Sequence, residues 1–218
     1  MLDIKITVFV IVKRMKYKGI GFDWGGVLNG KPGTLFGQNV SALLGITTEE
    51  YKAAYFHHNK KVNRGQITRE ELWTLVLTEL GQTDKVKSVM KISQEFNADS
   101  LNENVLDLVD KLRKTGFKVG LLSNNTHEKA AEMRGSGLDK HFDVFHISAE
   151  TGLVKPEPEA FEHIAEALGI KMSELVFIDD SEKSLSTADA CGYKPVLFSS
   201  YQQLVNSLSE LGVYRTCT

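Results

Sequence analysis

The sequence predicts an α/β protein, a doubly wound parallel sheet with an all-helical segment inserted after the first strand. Three observations predict it. Short apolar runs stop abruptly at polar residues, as in "GIGFD", "VGLLSNN" and "LVFIDD". From residue 102 onward, runs of this kind alternate with amphipathic helical patterns, the signature of parallel strands covered by helices on both faces. Between the first run and residue 98, only helical periodicity is found.

The elements follow in order. Residues 1–15 carry "ITVFVIV", too short to span a membrane, with basic residues mainly after it, unlike a signal peptide. This stretch reads as an added strand or an extension, and Met15 offers a second plausible start. The first core strand ends at Asp23, and "GGVLNGKPG" follows as a loop without regular structure. In the helical segment, Thr47 with Glu50 and Thr68 with Glu71 form capping-box patterns. Tyr51, Ala54, Tyr55, His58 and Val62 follow the first box at helical spacing, and Gly81 ends the second helix. Thr83 opens a third, with Val86, Val89 and Met90 on one face. Val105, Leu106, Leu108, Val109 and Leu112 then mark a helix closing at Gly116. "FKVGLL", "VFHIS", "LVFI" and "PVLF" are the later strands. Helices are expected from about 127, around Phe161 and Ile164, directly after "DD", and at the C-terminus.

Composition narrows the classes. Hydrophobic and charged fractions of 42% and 25% are globular, and a net charge of −2 gives no reason to expect nucleic acid or an anionic membrane as partner. Cys191 and Cys217 make neither a disulfide framework nor a zinc site, which fits a reducing cytoplasm.

In a parallel α/β sheet, ligands collect at the carboxyl ends of the strands. Four such places carry polar groups here: Asp23, Ser123 with Asn124, the loop holding Lys155, and Asp179 with Asp180. Three carboxylates and a lysine brought to one edge need a partner. A hard cation such as Mg2+, held by carboxylates and substrate phosphate oxygens, resolves the acidic surplus.

"FDWGGVL", "LLSNN", "GLVKPEPEAF" and "FIDDSEKSLSTADACGY" together resemble, in order and spacing, the four motifs of the haloacid dehalogenase superfamily of phosphohydrolases. The resemblance implies a Rossmann-like core over residues 16–35 and 99–218, with a helical cap over 36–98. It implies that Asp23 is the nucleophile that becomes an aspartyl phosphate and that Lys155 pairs with its charge. It further implies that Ser123 holds phosphoryl oxygens and that Mg2+ is bound by Asp23, the Gly25 carbonyl, Asp180 and Asp179. Asn124, in the same motif, and Arg64, in the cap turn "NRGQ", are candidate substrate contacts. His58 lies on the apolar face of its helix, where a core role is expected. The expected substrate is a small phosphorylated metabolite.

One position departs from the pattern. Phosphatases resembling this sequence usually carry Asp two residues after the nucleophile, to protonate the leaving oxygen and then activate water. Here Gly25 keeps the backbone carbonyl and removes that proton donor. General acid–base help is worth ~10²–10⁴-fold in rate. Three other readings stand beside a phosphatase. A dehalogenase needs no metal, which the pair Asp179–Asp180 argues against. A phosphonoacetaldehyde hydrolase needs a cap lysine in an apolar setting, and Lys52, Lys60 and Lys61 show none. A catalytically weak protein that binds a phosphorylated metabolite or a partner protein has no need of Asp23, Lys155 and Asp180 together.

Overall fold

In a computed structural model of the protein, residues 15–30, 33–97 and 101–214 are described. The extension expected over residues 1–15 lies almost wholly outside them. The described residues form a five-stranded, all-parallel sheet in the order β3-β2-β1-β4-β5. Its strands are β1 (Gly19–Phe22), β2 (Lys118–Ser123), β3 (Val144–Ile147), β4 (Leu175–Asp179) and β5 (Lys194–Leu197). The chain passes from β1 to β2 and β3 on one side, then returns to β4 and β5 on the other. β1 is therefore the central strand, and the crevice at its carboxyl end is the topological switch point of the sheet. All four residues of β1 are buried, as a doubly covered strand requires.

Four helices fill the insertion: α1 (Gly33–Leu44), α2 (Thr48–Asn63), α3 (Arg69–Glu79) and α4 (Val86–Asn97). Both capping boxes form, with Thr47 and Thr68 accepting from the backbone N–H of Glu50 and Glu71 and those carboxylates returning the contact. Thr83 opens a single 3₁₀ turn, Thr83–Lys85, before α4 begins. α1 starts at Gly33, inside the stretch expected to be irregular. The insertion has an apolar core of its own, built from residues such as Val40, Leu72, Trp73, Val76 and Val89.

The two crossings between insertion and sheet lie side by side. Asn29 forms a bridge with Leu101, and the Asn102 N–H donates to the Leu28 carbonyl at 2.8 Å. The sheet is flanked by α5 (Glu103–Lys114), α6 (His127–Gly135), α8 (Pro158–Ala167) and α10 (Tyr201–Glu210). A one-turn helix, α7 (Ser148–Thr151), follows β3, and α9 is only Ala188–Cys191. The helix expected directly after Asp180 does not form. Ser181 and Ser184 donate their N–H groups to the Asp179 carboxylate and the Ser181 hydroxyl, local bonds that compete with a helix. Among the described residues, no helix is long and apolar enough to cross a membrane.

Candidate active site

The four polar strand ends converge. β1 and β4 are neighbours in register, Phe22 beside Ile178, so Asp23 and Asp179 leave the sheet next to each other. The Asp23 N–H donates to the Ile178 carbonyl at 2.9 Å, which fixes the start of the following loop. Lys155 reaches in from the loop after α7 and bridges the two acids, its Nζ 2.8 Å from Asp23 Oδ1 and 2.5 Å from Asp179 Oδ2. Little water reaches this triad, for the Lys155, Asp179 and Asp23 side chains are 2%, 0% and 13% exposed. Asp179 Oδ1 also accepts from the Ser181 N–H at 2.9 Å. Asp180 follows at the rim, and one carboxylate oxygen from each of Asp23, Asp179 and Asp180 falls within 4.8 Å of the others.

The electrostatics match this crowding. Burial pushes the Asp23 carboxyl up to about 7; Lys155 pulls it down and Asp179 pushes it up again. Burial and Asp179 also raise Asp180. The Lys155 ammonium is raised: burial opposes its charge, and Asp23 and Asp179 outweigh that. One cation thus faces three acids. The donor set is all hard oxygen, which suits Mg2+ and not a thiolate- or imidazole-seeking metal.

The loop after Asp23 is shaped around this centre. Gly26 has φ +69°, and a Cβ there would come within 1.9 Å of Asp180 Oδ2, so glycine is required for the acid to approach. Gly25 differs. It lacks the left-handed φ, and a Cβ there would meet only Asp23 Oδ2, at 3.7 Å. The position where this sequence departs from the phosphatase pattern is open toward the acids.

Two cavities meet at Asn63 and Asn124, between insertion and sheet. One, of about 230 Å³, is walled by Trp24, Gly25 and several aromatic side chains of the insertion. The other, of about 390 Å³, is lined by Lys155, Glu157, Ser181 and Lys183 with Phe56, Asn59 and Lys60 of α2.

With this geometry in place, comparison with known proteins is decisive. The model of the haloacid dehalogenase-like hydrolase family matches residues 17–192. The chain belongs to the haloacid dehalogenase-like hydrolases. Among its relatives in that family, bifunctional epoxide hydrolase 2 of Mus musculus is 29% identical over 125 residues, covering 55% of this chain and 22% of that protein. The chain thus spans about a fifth of the length of the epoxide hydrolases it matches. Phosphatase MT3486 of Mycobacterium tuberculosis is 33% identical over 110 residues, 48% of this chain and 51% of that one. A solved haloacid dehalogenase-family enzyme of Bacteroides thetaiotaomicron, in complex with magnesium and inorganic phosphate, superimposes with a TM-score of 0.63. It is 25% identical to this protein, over 84% of this chain and 94% of that one.

The hydrolase brings together Asp23, Lys155, Asp179 and Asp180, with Ser123 buried at the end of β2. Asn124 plays a part the sequence did not suggest. Its Nδ2 donates to the Lys155 carbonyl at 2.8 Å, and its Oδ1 accepts from the Lys155 N–H at 2.9 Å, so its amide holds the lysine loop in place. Arg64 also differs from the substrate contact expected of it. Its guanidinium donates to the Gly152 carbonyl at 2.8 Å and to the Glu157 carboxylate at 2.6 Å, and Lys60 pairs with the same Glu157 at 3.1 Å. These contacts tie α2 to the loop that carries Lys155. His58 Nε2 lies 2.8 Å from Glu79 Oε2, a pairing within the insertion. Lys52, Lys60 and Lys61 are exposed, without the apolar setting an imine-forming lysine needs. Glu157 and Arg69 went unnoticed in the sequence. Arg69 donates from Nη2 to Thr126 Oγ1 at 3.1 Å, and its only signal was a place in the first turn after the Thr68 cap.

Proposed function

We propose that this hydrolase is a Mg2+-dependent phosphatase of small phosphorylated metabolites, working in the cytoplasm through an aspartyl phosphate on Asp23. The observation that carries the reading is the buried bridge from Lys155 to Asp23 and Asp179 at the switch point, with Asp180 beside it. Relatives named as phosphatases, and a neighbour crystallised with magnesium and phosphate, support the same reading.

The chemistry follows from charge. A carboxylate attacks a phosphate dianion poorly unless positive charge and in-line geometry are supplied. Mg2+ held by Asp23, Asp179, Asp180 and the Gly25 carbonyl would neutralise phosphoryl and carboxylate charge together. Lys155 offers a second positive charge to the oxygen that Asp23 does not use for attack. Ser123 would donate to phosphoryl oxygens, and Asn124 keeps the Lys155 loop from drifting. The insertion acts as a cap, with Lys60 of α2 and Arg64 just after it clasping Glu157 and excluding water from the reacting centre. The covalent intermediate divides one difficult hydrolysis into two easier steps.

The test is release of inorganic phosphate from acyl, aryl, sugar and nucleoside phosphates, with Mg2+ or with excess chelator. Metal-dependent release that Asp23→Asn abolishes is expected. Full activity in chelator, or in Asp23→Asn, overturns the reading.

A further inference from the structure

The aromatic cavity beside Gly25 defines a substrate class. We propose, resting on the phosphatase reading above, that the preferred substrates are phosphate monoesters of an uncharged, single-ring aromatic alcohol of the phenol type. Three independent features converge on this.

The first is position. Gly25 lines this cavity and stands where related phosphatases carry the acid that serves the leaving oxygen, so the leaving group lies on this side. The second is the wall. Trp73 sits with its ring centroid 5.8 Å from Phe36 and 5.7 Å from Tyr55, and Phe36 lies 5.3 Å from Phe96. Their mutual tilts of 55°, 34° and 60° create faces and edges that suit a flat guest. The volume of about 230 Å³ sets the size. An apolar cavity of ~150 Å³ holds benzene, so one substituted ring fits between these walls, with the polar side chains of Asn63, Asn124 and Thr126 at the cavity's edge.

The third feature is charge. Among the described residues lining the cavity, the one cationic side chain is Arg69. Its guanidinium already donates to Thr126 and lies 3.7 Å from Glu132. A leaving group bearing a second phosphate or a carboxylate would have to share this single cation with Glu132. The other cavity, lined by lysines and Glu157, has the opposite character.

Leaving-group chemistry closes the argument. In the first step an Asp23 carboxylate oxygen forms a bond to phosphorus, and the P–O(aryl) bond breaks with its electron pair on the departing oxygen. With glycine at 25, that oxygen leaves as the anion and takes its proton from solvent. A phenol, of pKa about 10, bears that charge far better than an alkyl alcohol, which is as weak an acid as water. Water then attacks phosphorus, returns the electron pair to Asp23 and yields inorganic phosphate. An aromatic cavity and an absent acid thus select the same leaving group.

The experiment compares phenylphosphonate with methylphosphonate, neither of which can be turned over, by titration calorimetry on the full chain with Mg2+. Alongside it, phenyl, acetyl and ethyl phosphate are compared as substrates. Burial of the ring predicts about tenfold to a hundredfold tighter binding of phenylphosphonate. Phe36→Leu and Tyr55→Leu, at partly exposed positions that keep an apolar side chain, are expected to shrink that ratio severalfold. Equal affinity for the two phosphonates overturns the proposal whether or not the protein turns anything over. Acetyl phosphate hydrolysis without any phenyl preference overturns it too, while leaving the phosphatase reading standing. A phenyl preference in binding, with no metal-dependent turnover of any ester, supports the aromatic site and overturns the phosphatase reading instead.

Discussion

Restoring a carboxylic acid at position 25 perturbs the chemistry with little cost to the fold. Gly25 is not in the left-handed region, and a Cβ there meets only Asp23 Oδ2, at 3.7 Å, so the backbone of Gly25→Asp carries no strain and its Cβ has room. The new carboxyl joins Asp23, which burial raises to about 7 with Lys155 opposing and Asp179 adding to the rise, and the surrounding negative charge favours its protonated form. A general acid requires that state. Its contribution of ~10²–10⁴ should appear where the leaving oxygen is most basic. Ethyl phosphate turnover is therefore expected to rise about a hundredfold, while acetyl phosphate changes by no more than a few-fold. The assay is the single-turnover rate against leaving-group pKa for both proteins, with urea unfolding to confirm equal stability. A wild-type slope that is already shallow means another residue serves as the acid. An unchanged ethyl-to-acetyl ratio in a stable Gly25→Asp refutes the reasoning equally.

Other perturbations have defined outcomes. Lys155→Met leaves Asp23 and Asp179 buried without a counter-charge and should cost about 3–5 kcal/mol in urea unfolding without metal, partly recovered by Mg2+. An unchanged midpoint would show the bridge to be energetically idle. Gly65→Ala should weaken the closed cap, since Gly65 has φ +69° and a Cβ there would lie 2.2 Å from the Ala149 carbonyl oxygen. Its measure is a raised KM together with faster proteolysis between α2 and α3; wild-type values would contradict the close packing. Burial lowers the His146 imidazole from 6.5 to about 4, so the unfolded chain binds more protons between those values. Stability is complete above pH 6.5 and falls as pH drops toward 4. At 1.36 kcal/mol per pKa unit the loss is roughly 3 kcal/mol, and His146→Gln should remove that part of the acid limb. Identical acid limbs in the two proteins would assign the loss elsewhere.

What the sequence made legible was local. Four of the five core strands stop at a polar residue, at Asp23, Ser123, Ser148 and Asp179, and the boxes Thr47–Glu50 and Thr68–Glu71 fix helix starts through contacts three residues apart. Asp23, Lys155, Asp179 and Asp180 were readable because parallel topology carries every strand's carboxyl end to one edge. What was hidden depends on distant pairs. Arg64 meets Glu157 across 93 residues, and Asn124 meets Lys155 across 31, so neither role has a local signature. Tyr55 and Trp73 follow helical spacing like any core residue, and only the packed structure shows that the same rings wall a cavity. The helix expected after Asp180 failed for a local reason, since serine and aspartate side chains there capture the backbone N–H groups.

The central claim is that Asp23 takes the phosphoryl group. Its most direct test is rapid acid quench of the protein turning over acetyl phosphate with Mg2+, followed by borohydride reduction and peptide mass spectrometry. An aspartyl phosphate is reduced to homoserine, and the account predicts that product at position 23, absent without substrate and absent in Asp23→Asn. Without an acid–base group at Gly25 the intermediate is expected to break down slowly, which would favour its capture. Steady phosphate release with an unmodified Asp23 at every quench time, or with the label on another residue, would contradict the account.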